Sequence, residues 1–331
     1  MVVAYSQFIA ANSGLLMNTL LTSIDSTSLF SKFSPTHPVS RFFHFPLLRA
    51  LVIVLYLAPV LIVNSVVVTE VIANAQEPLA SYIDIARMLI TLPLLILSYR
   101  LYCQTFEKRD AVEFGYRGSL KQWGLGAITA TTLVLVFVLL IAVIGEFRIV
   151  EYRSGLRLIN NLLMFVTGSL FQEMILLCVI YRLTEELAGS WISLIVSLSL
   201  FAGVHLLNAN ESVESVAMLM LSSLILVAPF VLTRRIWLSW GFHAGWNFMQ
   251  AGIFGMPNSG VIFKGWMVTE IEGPAWITGG AVGLEATYLS VGLDFLIGLA
   301  ILRMAYNAGQ FVAPRWRRHS KTDQPSQSVL S

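Results

Sequence analysis

The run Leu133-Val-Leu-Val-Phe-Val-Leu-Leu-Ile-Ala-Val-Ile144 contains twelve consecutive apolar residues and no charge. A second uncharged run follows at residues 192–201. Of the 331 residues, 56% are hydrophobic and only 12% are charged, with a mean hydropathy of +0.74, whereas a soluble domain carries about 25% charged residues. Too few polar side chains remain to cover a water-facing surface. The composition therefore excludes a soluble globule and predicts an integral, multi-pass membrane protein.

Hydropathy divides the chain into segments of the length that a helix needs to cross the bilayer, about 20 apolar residues. Eight helices are predicted, at residues 47–69, 83–102, 122–145, 157–182, 187–207, 215–233, 236–255 and 284–306. The predicted fold class is therefore all-α, a polytopic transmembrane helical bundle over residues 47–306. Residues 1–46 are expected to form a weakly ordered arm, and residues 307–331 a disordered basic tail.

Lysines and arginines are distributed unevenly between the two predicted sides of the membrane. If the N-terminus is cytoplasmic, sixteen of them fall on the cytoplasmic side and four on the other, with Arg87 inside a predicted helix. Basic residues accumulate in cytoplasmic loops. Both termini are therefore predicted to be cytoplasmic, with the loop at residues 256–283 on the opposite side, and a bacterial cell membrane is the expected location. Because the basic residues are scattered among loops, the net charge of +2 gives no reason to expect nucleic acid as a partner.

Ionisable and amide side chains interrupt three of the predicted helices. Gln172 and Glu173 lie in the fourth, His205 in the fifth, and His243 and Asn247 one turn apart in the seventh. Polar groups within a bilayer cost free energy, usually face the bundle interior and often mark function. Any one of them could instead be a hydrogen bond between two helices. Their presence on three helices favours a shared polar site.

Such a set suits hydrolysis. A carboxylate can activate water as a general base, and a histidine can share the proton. A histidine and an asparagine one turn apart can donate hydrogen bonds to an oxyanion. Glutamate with two histidines also suits zinc, but no compact metal motif such as His-Glu-x-x-His is present. No metal and no other cofactor is therefore expected.

Three segments carry a resemblance to a known family: residues 172–186, Phe201-Ala-Gly-Val-His205, and Trp240-Gly-Phe-His-Ala-Gly-Trp-Asn247. They resemble, in order, the Glu-Glu-x-x-x-Arg, Phe-x-x-x-His and His-x-x-x-Asn/Asp motifs of the CPBP family. That family groups the type II CAAX prenyl endopeptidases with the Abi bacteriocin-processing and immunity proteins, and the resemblance covers about residues 120–305. It implies an intramembrane glutamic endopeptidase that acts, in the lipid bilayer, on membrane-associated peptides or prenylated proteins. The implied catalytic positions are Gln172, Glu173, His205, His243 and Asn247.

The first motif departs from the family pattern. Gln172 stands where the family has its water-activating glutamate, and Leu177 where it has an arginine. Because an amide cannot accept that proton, two interpretations follow. In one, Glu173 takes over as the base. In the other, the chain is an inactive member that serves as a scaffold, a binding protein or an immunity-type protein.

Helix geometry favours impaired activity. Adjacent residues on a helix point about 100° apart, so Glu173 needs a local distortion to reach a cavity that position 172 faces. A third class, a transporter, has the least support, because hydropathy shows no paired interrupted helices in symmetric halves.

Overall fold

The structure is a computed structural model that describes residues 24–33 and 36–322. Its α-helices are α1 Pro38–Phe43, α2 Pro46–Val66, α3 Leu79–Tyr102, α4 Ser119–Ile144, α5 Gly155–Glu173, α6 Arg182–Val204, α7 Val213–Ser222, α8 Leu224–Thr233, α9 Trp237–Asn247, α10 Ala275–Thr278, α11 Tyr288–Asn307 and α12 Arg315–Thr322. Wider π-helical segments continue four of them, at Val67–Ile72, Cys103–Glu107, Met174–Tyr181 and Phe248–Ile253. The arm and the tail predicted from the sequence lie partly outside the described residues.

Six continuous helical segments of the described chain are long and apolar enough to cross a membrane: Pro46–Ile72, Leu79–Glu107, Ser119–Ile144, Gly155–Leu207, Val213–Thr233 and Tyr288–Asn307. Gly155–Leu207 bends at Gly189, where φ is 80°, and so contains two of the predicted helices. The seventh predicted helix is α9, which lies inside the bundle with residues 239–247 all buried. The helical membrane bundle predicted from the sequence is confirmed, although several helix ends differ by a few residues.

Two short strands, β1 Glu146–Tyr152 and β2 Met267–Glu272, pair in an antiparallel sheet outside the membrane-crossing helices. The sequence predicts helices only, and these strands are a small departure from that prediction. The sheet connects the α4–α5 loop with the long segment that follows α9. It therefore holds that segment against one end of the bundle.

The central helix α9 packs against α4 with almost no space between the two backbones. A Cβ atom added at Gly241 would lie 2.0 Å from the carbonyl oxygen of Trp123, and one added at Gly245 would lie 2.8 Å from that of Ala127. The two glycines form a Gly-x-x-x-Gly pattern, which allows helices to approach closely in membranes. Because only glycine fits at these positions, the contact fixes the rotation of α9 about its own axis.

A buried charge cluster closes the opposite end of the bundle from the sheet. Glu107 accepts hydrogen bonds from Arg49 at 2.6 Å, from Arg109 at 2.6 Å and from Arg182 at 2.9 Å. Glu113 pairs with Arg109 at 2.8 Å, and all five side chains are fully buried. Burial alone would raise the pKa of Glu113, but the Arg109 guanidinium and its hydrogen bonds hold that pKa below its ordinary value. The cluster joins the start of α2, the α3–α4 connection and the start of α6.

A second buried pair lies at the same end. Arg234 donates to Glu185 at 2.6 Å and also to the backbone carbonyl of Gln310. Glu185 accepts a further hydrogen bond from Ser190 at 2.5 Å, and the backbone N–H of Ser190 donates to the carbonyl of Val312 at 3.1 Å. The segment that follows α11 is therefore held against the bend in α6 and the α8–α9 turn.

The connections sort into two groups, one at each end of the bundle. The group with the charge clusters includes the segments before α2 and after α11, so the described parts near both termini lie at one end. The other group includes the sheet, and Asn208 there donates to the carbonyl of Ser259 at 2.7 Å. This arrangement agrees with an even number of membrane crossings.

Cysteine labelling in sealed vesicles should report positions 121 and 262 on opposite sides of the membrane, with Lys121→Cys on the cytoplasmic side. Both Lys121 and Ile262 are exposed, so a cysteine at either position can react. The native Cys103 and Cys178 are buried and provide an unreactive background for a membrane-impermeant maleimide. Labelling of both sites from the same side would contradict the proposed topology.

Candidate active site

The centre of the site is a hydrogen bond between α5 and α9. His243 Nδ1–H donates to Glu173 Oε1 at 2.6 Å, and the Glu173 side chain is fully buried. Gly241 and Gly245 face α4, and His243, two residues from each, lies about 200° around the helix from them. The close α4–α9 contact therefore turns His243 away from α4 and toward Glu173.

The π-helix Met174–Tyr181 begins directly after Glu173. A π-helical turn contains an additional residue and is often found at functional sites. Here it separates two roles on one continuous helix. Glu173 faces His243, while Arg182, at the far end of the π-helix, enters the buried charge cluster.

His205 lies directly after the end of α6, whose last residue is Val204. Its Nδ1–H donates to the carbonyl of Phe201 at 2.7 Å, which leaves Nε2 as the hydrogen-bond acceptor of the ring. The Phe201 ring contacts both histidines, with its centroid 4.9 Å from the His205 ring and 6.1 Å from the His243 ring. The two imidazoles thus share one aromatic neighbour.

A cavity of about 370 Å³ lies beside these residues, between α6, α7, α8, α9 and α11. Four of the five sequence-predicted site residues line it, and Glu173 is behind His243 instead. Its aromatic and aliphatic wall includes Phe201, Phe242, Trp246, Leu219 and Leu226. Its polar wall consists of Gln172, His205, Asn208, Ser222, Ser223, His243, Asn247, Asn258, Ser259, Glu285 and Asp294.

The Asn247 amide is oriented by a neighbour from the long loop. Asn258 Nδ2 donates to Asn247 Oδ1 at 3.0 Å, so the Asn247 amide nitrogen remains available as a donor. Gln172 also lines the cavity with an amide group. The site therefore offers imidazole acceptors together with amide donors.

The two carboxylates in the cavity wall were missed by the sequence analysis. Asp294 lies inside the last predicted helix, and the criterion applied to the other intramembrane polar residues could have found it. Glu285 accepts from Gln250 at 2.7 Å and from the Ser259 backbone N–H at 3.0 Å. Burial raises the pKa of Glu285 to about 7, although these hydrogen bonds oppose the rise. Nothing in the loop sequence indicated that Ser259 lies at the site.

Leu177 and Arg182 lie away from the cavity. Leu177 is fully buried in the core, and Arg182 is paired with Glu107. Within the described residues, no group of three or more His, Cys, Asp and Glu side chains is arranged to hold a metal ion.

One comparison with known proteins bears on the site. Residues 154–249 match the family model described as type II CAAX prenyl endopeptidase, Rce1-like. The matched segment runs from α5 to the end of α9 and contains all five sequence-predicted site residues, and it confirms the resemblance carried by the three motifs. No curated protein and no solved structure gives a significant match.

Proposed function

We propose that this chain, a CPBP-family membrane protein on the evidence of its Rce1-like segment, is an intramembrane endopeptidase whose water is activated by a Glu173–His243 pair. The observation that carries the proposal is the 2.6 Å hydrogen bond from His243 Nδ1 to Glu173 Oε1. It joins a buried carboxylate to a histidine that lines the cavity. On this proposal, His243 on α9 takes the role of base that the family gives to the glutamate at position 172 on α5.

The hydrogen bond sets the chemistry of the His243 ring. Since Nδ1 carries the proton that Glu173 accepts, Nε2, at the opposite edge of the ring, is free to take a proton from water. As the ring becomes an imidazolium, the Glu173 carboxylate stabilises its charge, as a buried carboxylate does in catalytic triads. Glu173 is thus a positioning residue, and His243 is the catalytic base.

Attack of the activated water on a peptide carbonyl produces an oxyanion. The amide nitrogens of Asn247 and Gln172 are the donors of the cavity wall that suit this charge. On this proposal the glutamine at position 172 binds the oxyanion. Removal of one such donor typically costs about 10²–10³-fold in rate.

His205 has the complementary position. With Nδ1–H donating to the Phe201 carbonyl, its Nε2 can hold the water by accepting a hydrogen bond from the O–H group that His243 does not deprotonate. Protonated His243 then gives its proton to the departing amine nitrogen as the C–N bond breaks. The proton removed from water therefore leaves with the product, and the acid and base are regenerated.

The substrate class follows from the setting of the cavity. It lies among membrane helices, and its apolar wall of leucine and aromatic side chains accepts hydrophobic residues. We propose a membrane-associated peptide, with prenylated CAAX-type chains as the family-based candidates.

The proposal is tested by cleavage assays on the full chain in lipid vesicles, with a prenylated CAAX peptide and its unprenylated counterpart. The Gln172→Glu variant should lower kcat by about 10²–10³-fold, because its carboxylate cannot donate a hydrogen bond to the oxyanion, while Glu173 and His243 already supply the base. A rise of about 10²–10⁴-fold, the usual contribution of a general base, would show that position 172 is the required base and that the unaltered chain is impaired. Gln172→Met, which has similar size and no donor, should lower the rate as an oxyanion-donor control.

The alternative is a catalytically inactive binding or immunity-type scaffold on the same fold. It is favoured by one observation, the absence from the cavity wall of a carboxylate contributed by α5, within the described residues. Lack of cleavage by both the unaltered chain and the Gln172→Glu variant, with equal binding of a membrane peptide by both, would support this alternative.

A further inference from the structure

The cavity has a second polar region, formed by Glu285 and Asp294. Both carboxylates are buried, with 8% and 4% of their residue surface exposed, and both line the cavity. Glu285 lies in the 3₁₀ turn Leu284–Ala286 before α11, and Asp294 lies within α11. The proposed hydrolysis uses neither of them.

The two carboxylates differ in how their oxygens are satisfied. Glu285 accepts from Ser259 through Oε1 and from Gln250 through Oε2, so both of its oxygens have donors. Among the residues that the structure describes, Asp294 Oδ2 accepts only a long hydrogen bond of 3.4 Å from Ser290, and the buried Asp294 Oδ1 has no partner. A buried acceptor that lacks a donor is costly, and here the unsatisfied group belongs to a cavity wall.

No lysine, arginine or histidine among the described residues forms an ion pair with either of these carboxylates. In the part of the chain that the structure describes, neither Glu285 nor Asp294 forms an ion pair, whereas Glu107, Glu113 and Glu185 are each paired with an arginine. Arginines thus neutralise the buried glutamates of the charge clusters. Glu285 and Asp294, which line the cavity, have no such partner among the described residues. Buried charges are normally paired, and a ligand can supply the missing partner.

We infer that Glu285 and Asp294 form a subsite for a primary ammonium group of the ligand, such as a lysine side chain of the peptide. An ammonium group has three donors and no acceptor, which suits a wall of carboxylate, serine and asparagine oxygens. The apolar side chains Leu219 and Leu226 line the same cavity and can contact the methylene carbons. A cavity of about 370 Å³ corresponds to roughly twelve waters at about 30 Å³ each, enough for a short alkylammonium chain.

This inference rests on the proposed function only for treating the cavity as a substrate site, and the binding of an amine can be measured without cleavage. The probe is n-butylammonium, with n-butanol as its neutral counterpart and sodium ion as an inorganic cation. Each is titrated against the full chain in lipid nanodiscs, and an apparent Kd is obtained from the concentration dependence of the thermal midpoint.

Butylammonium should raise the midpoint in a saturable way, and butanol and sodium should not. Asp294→Asn should weaken butylammonium binding about tenfold or more, since a hydrogen bond to a charged group is lost. Glu214→Gln, which removes an exposed carboxylate from the first turn of α7, is the matched control and should bind normally. Glu173→Gln, at a residue that lies outside the cavity wall, should also bind butylammonium normally while losing cleavage, so failure of the hydrolytic proposal leaves this result unaffected.

Equal shifts with butanol and butylammonium would overturn the inference, as would equal shifts with sodium. The same conclusion would follow if Asp294→Asn bound the amine as tightly as the unaltered chain. Should Asp294→Asn not fold, the comparison of butylammonium with butanol on the unaltered chain decides alone.

Discussion

Replacement of Glu173 by Gln should lower kcat for peptide cleavage by about 10²–10⁴-fold, with little change in KM. The substituted amide keeps the size of the side chain but cannot stabilise a positive charge on His243, and this charge develops only as the proton is taken from water. Because Glu173 lies behind His243 and outside the cavity wall, substrate binding should persist. The measurement is steady-state cleavage by the full chain in vesicles, with KM and kcat determined separately.

A merely structural role for Glu173 would give a different pattern. The loss of rate should then follow the loss of folded protein, and it should be matched by a lower thermal midpoint. Glu214→Gln serves as the control for the loss of a carboxylate. Unchanged kcat in a folded Glu173→Gln variant would exclude the Glu173–His243 pair as the base.

Replacement of Glu107 by Gln should reduce the free energy of unfolding by about 3–5 kcal/mol, the usual consequence of breaking a buried ion pair. The change leaves three buried guanidinium groups with only Glu113 and Glu186 as carboxylate partners, so their positive charge is no longer fully compensated. The loss should appear as a lower midpoint of thermal or denaturant unfolding in detergent.

The chain contains a matched control for this change. Glu270 pairs with Arg148 at 2.5 Å across the small sheet, with 55% and 73% of their side chains exposed. Exposed ion pairs contribute about 0–1 kcal/mol, so Glu270→Gln should scarcely move the midpoint. Similar losses for the two variants would mean that the buried cluster does not stabilise the fold.

The membrane fold was predictable because its physical cause is present in every helix. A chain with apolar runs such as residues 133–144 is not stable in water as a soluble globule. The helices that contain these runs are long enough to cross the hydrocarbon layer of the bilayer. The strands at Glu146–Tyr152 and Met267–Glu272 were not predictable, since each is short and pairs with a segment more than a hundred residues away. Such pairing depends on where the helices bring the loops.

At the site, the residue types could be predicted from the sequence, but the directions in which their side chains point could not. The three motifs indicated Gln172, His205, His243 and Asn247, all of which line the cavity. On a regular helix, Glu173 and Arg182, nine residues apart, would point about 180° from each other. The π-helix Met174–Tyr181 changes the rotation between them, and hydropathy does not report such a change because the whole segment is apolar.

The structure shows that several of the basic residues counted for the topology prediction are not exposed loop residues. Of the residues assigned to the cytoplasmic side, Arg49, Arg109, Arg182 and Arg234 are buried in ion pairs. Charge counting treats them as loop residues beside lipid headgroups. Their true surroundings depend on carboxylates distant in the chain, such as Glu107 for Arg182.

The order of synthesis gives these arginines two roles at different times. Arg49 leaves the ribosome before Glu107, so it is still hydrated and unpaired when the first helix enters the membrane. On the predicted topology, with a cytoplasmic N-terminus, its charge at that stage resists translocation and helps to orient the helix. Once Glu107 and Glu186 have been made, Arg49 pairs with both and becomes part of the interior. The insertion machinery therefore handles a nascent chain in which these arginines are unpaired, whereas the finished protein keeps their charge out of reach of lipid headgroups.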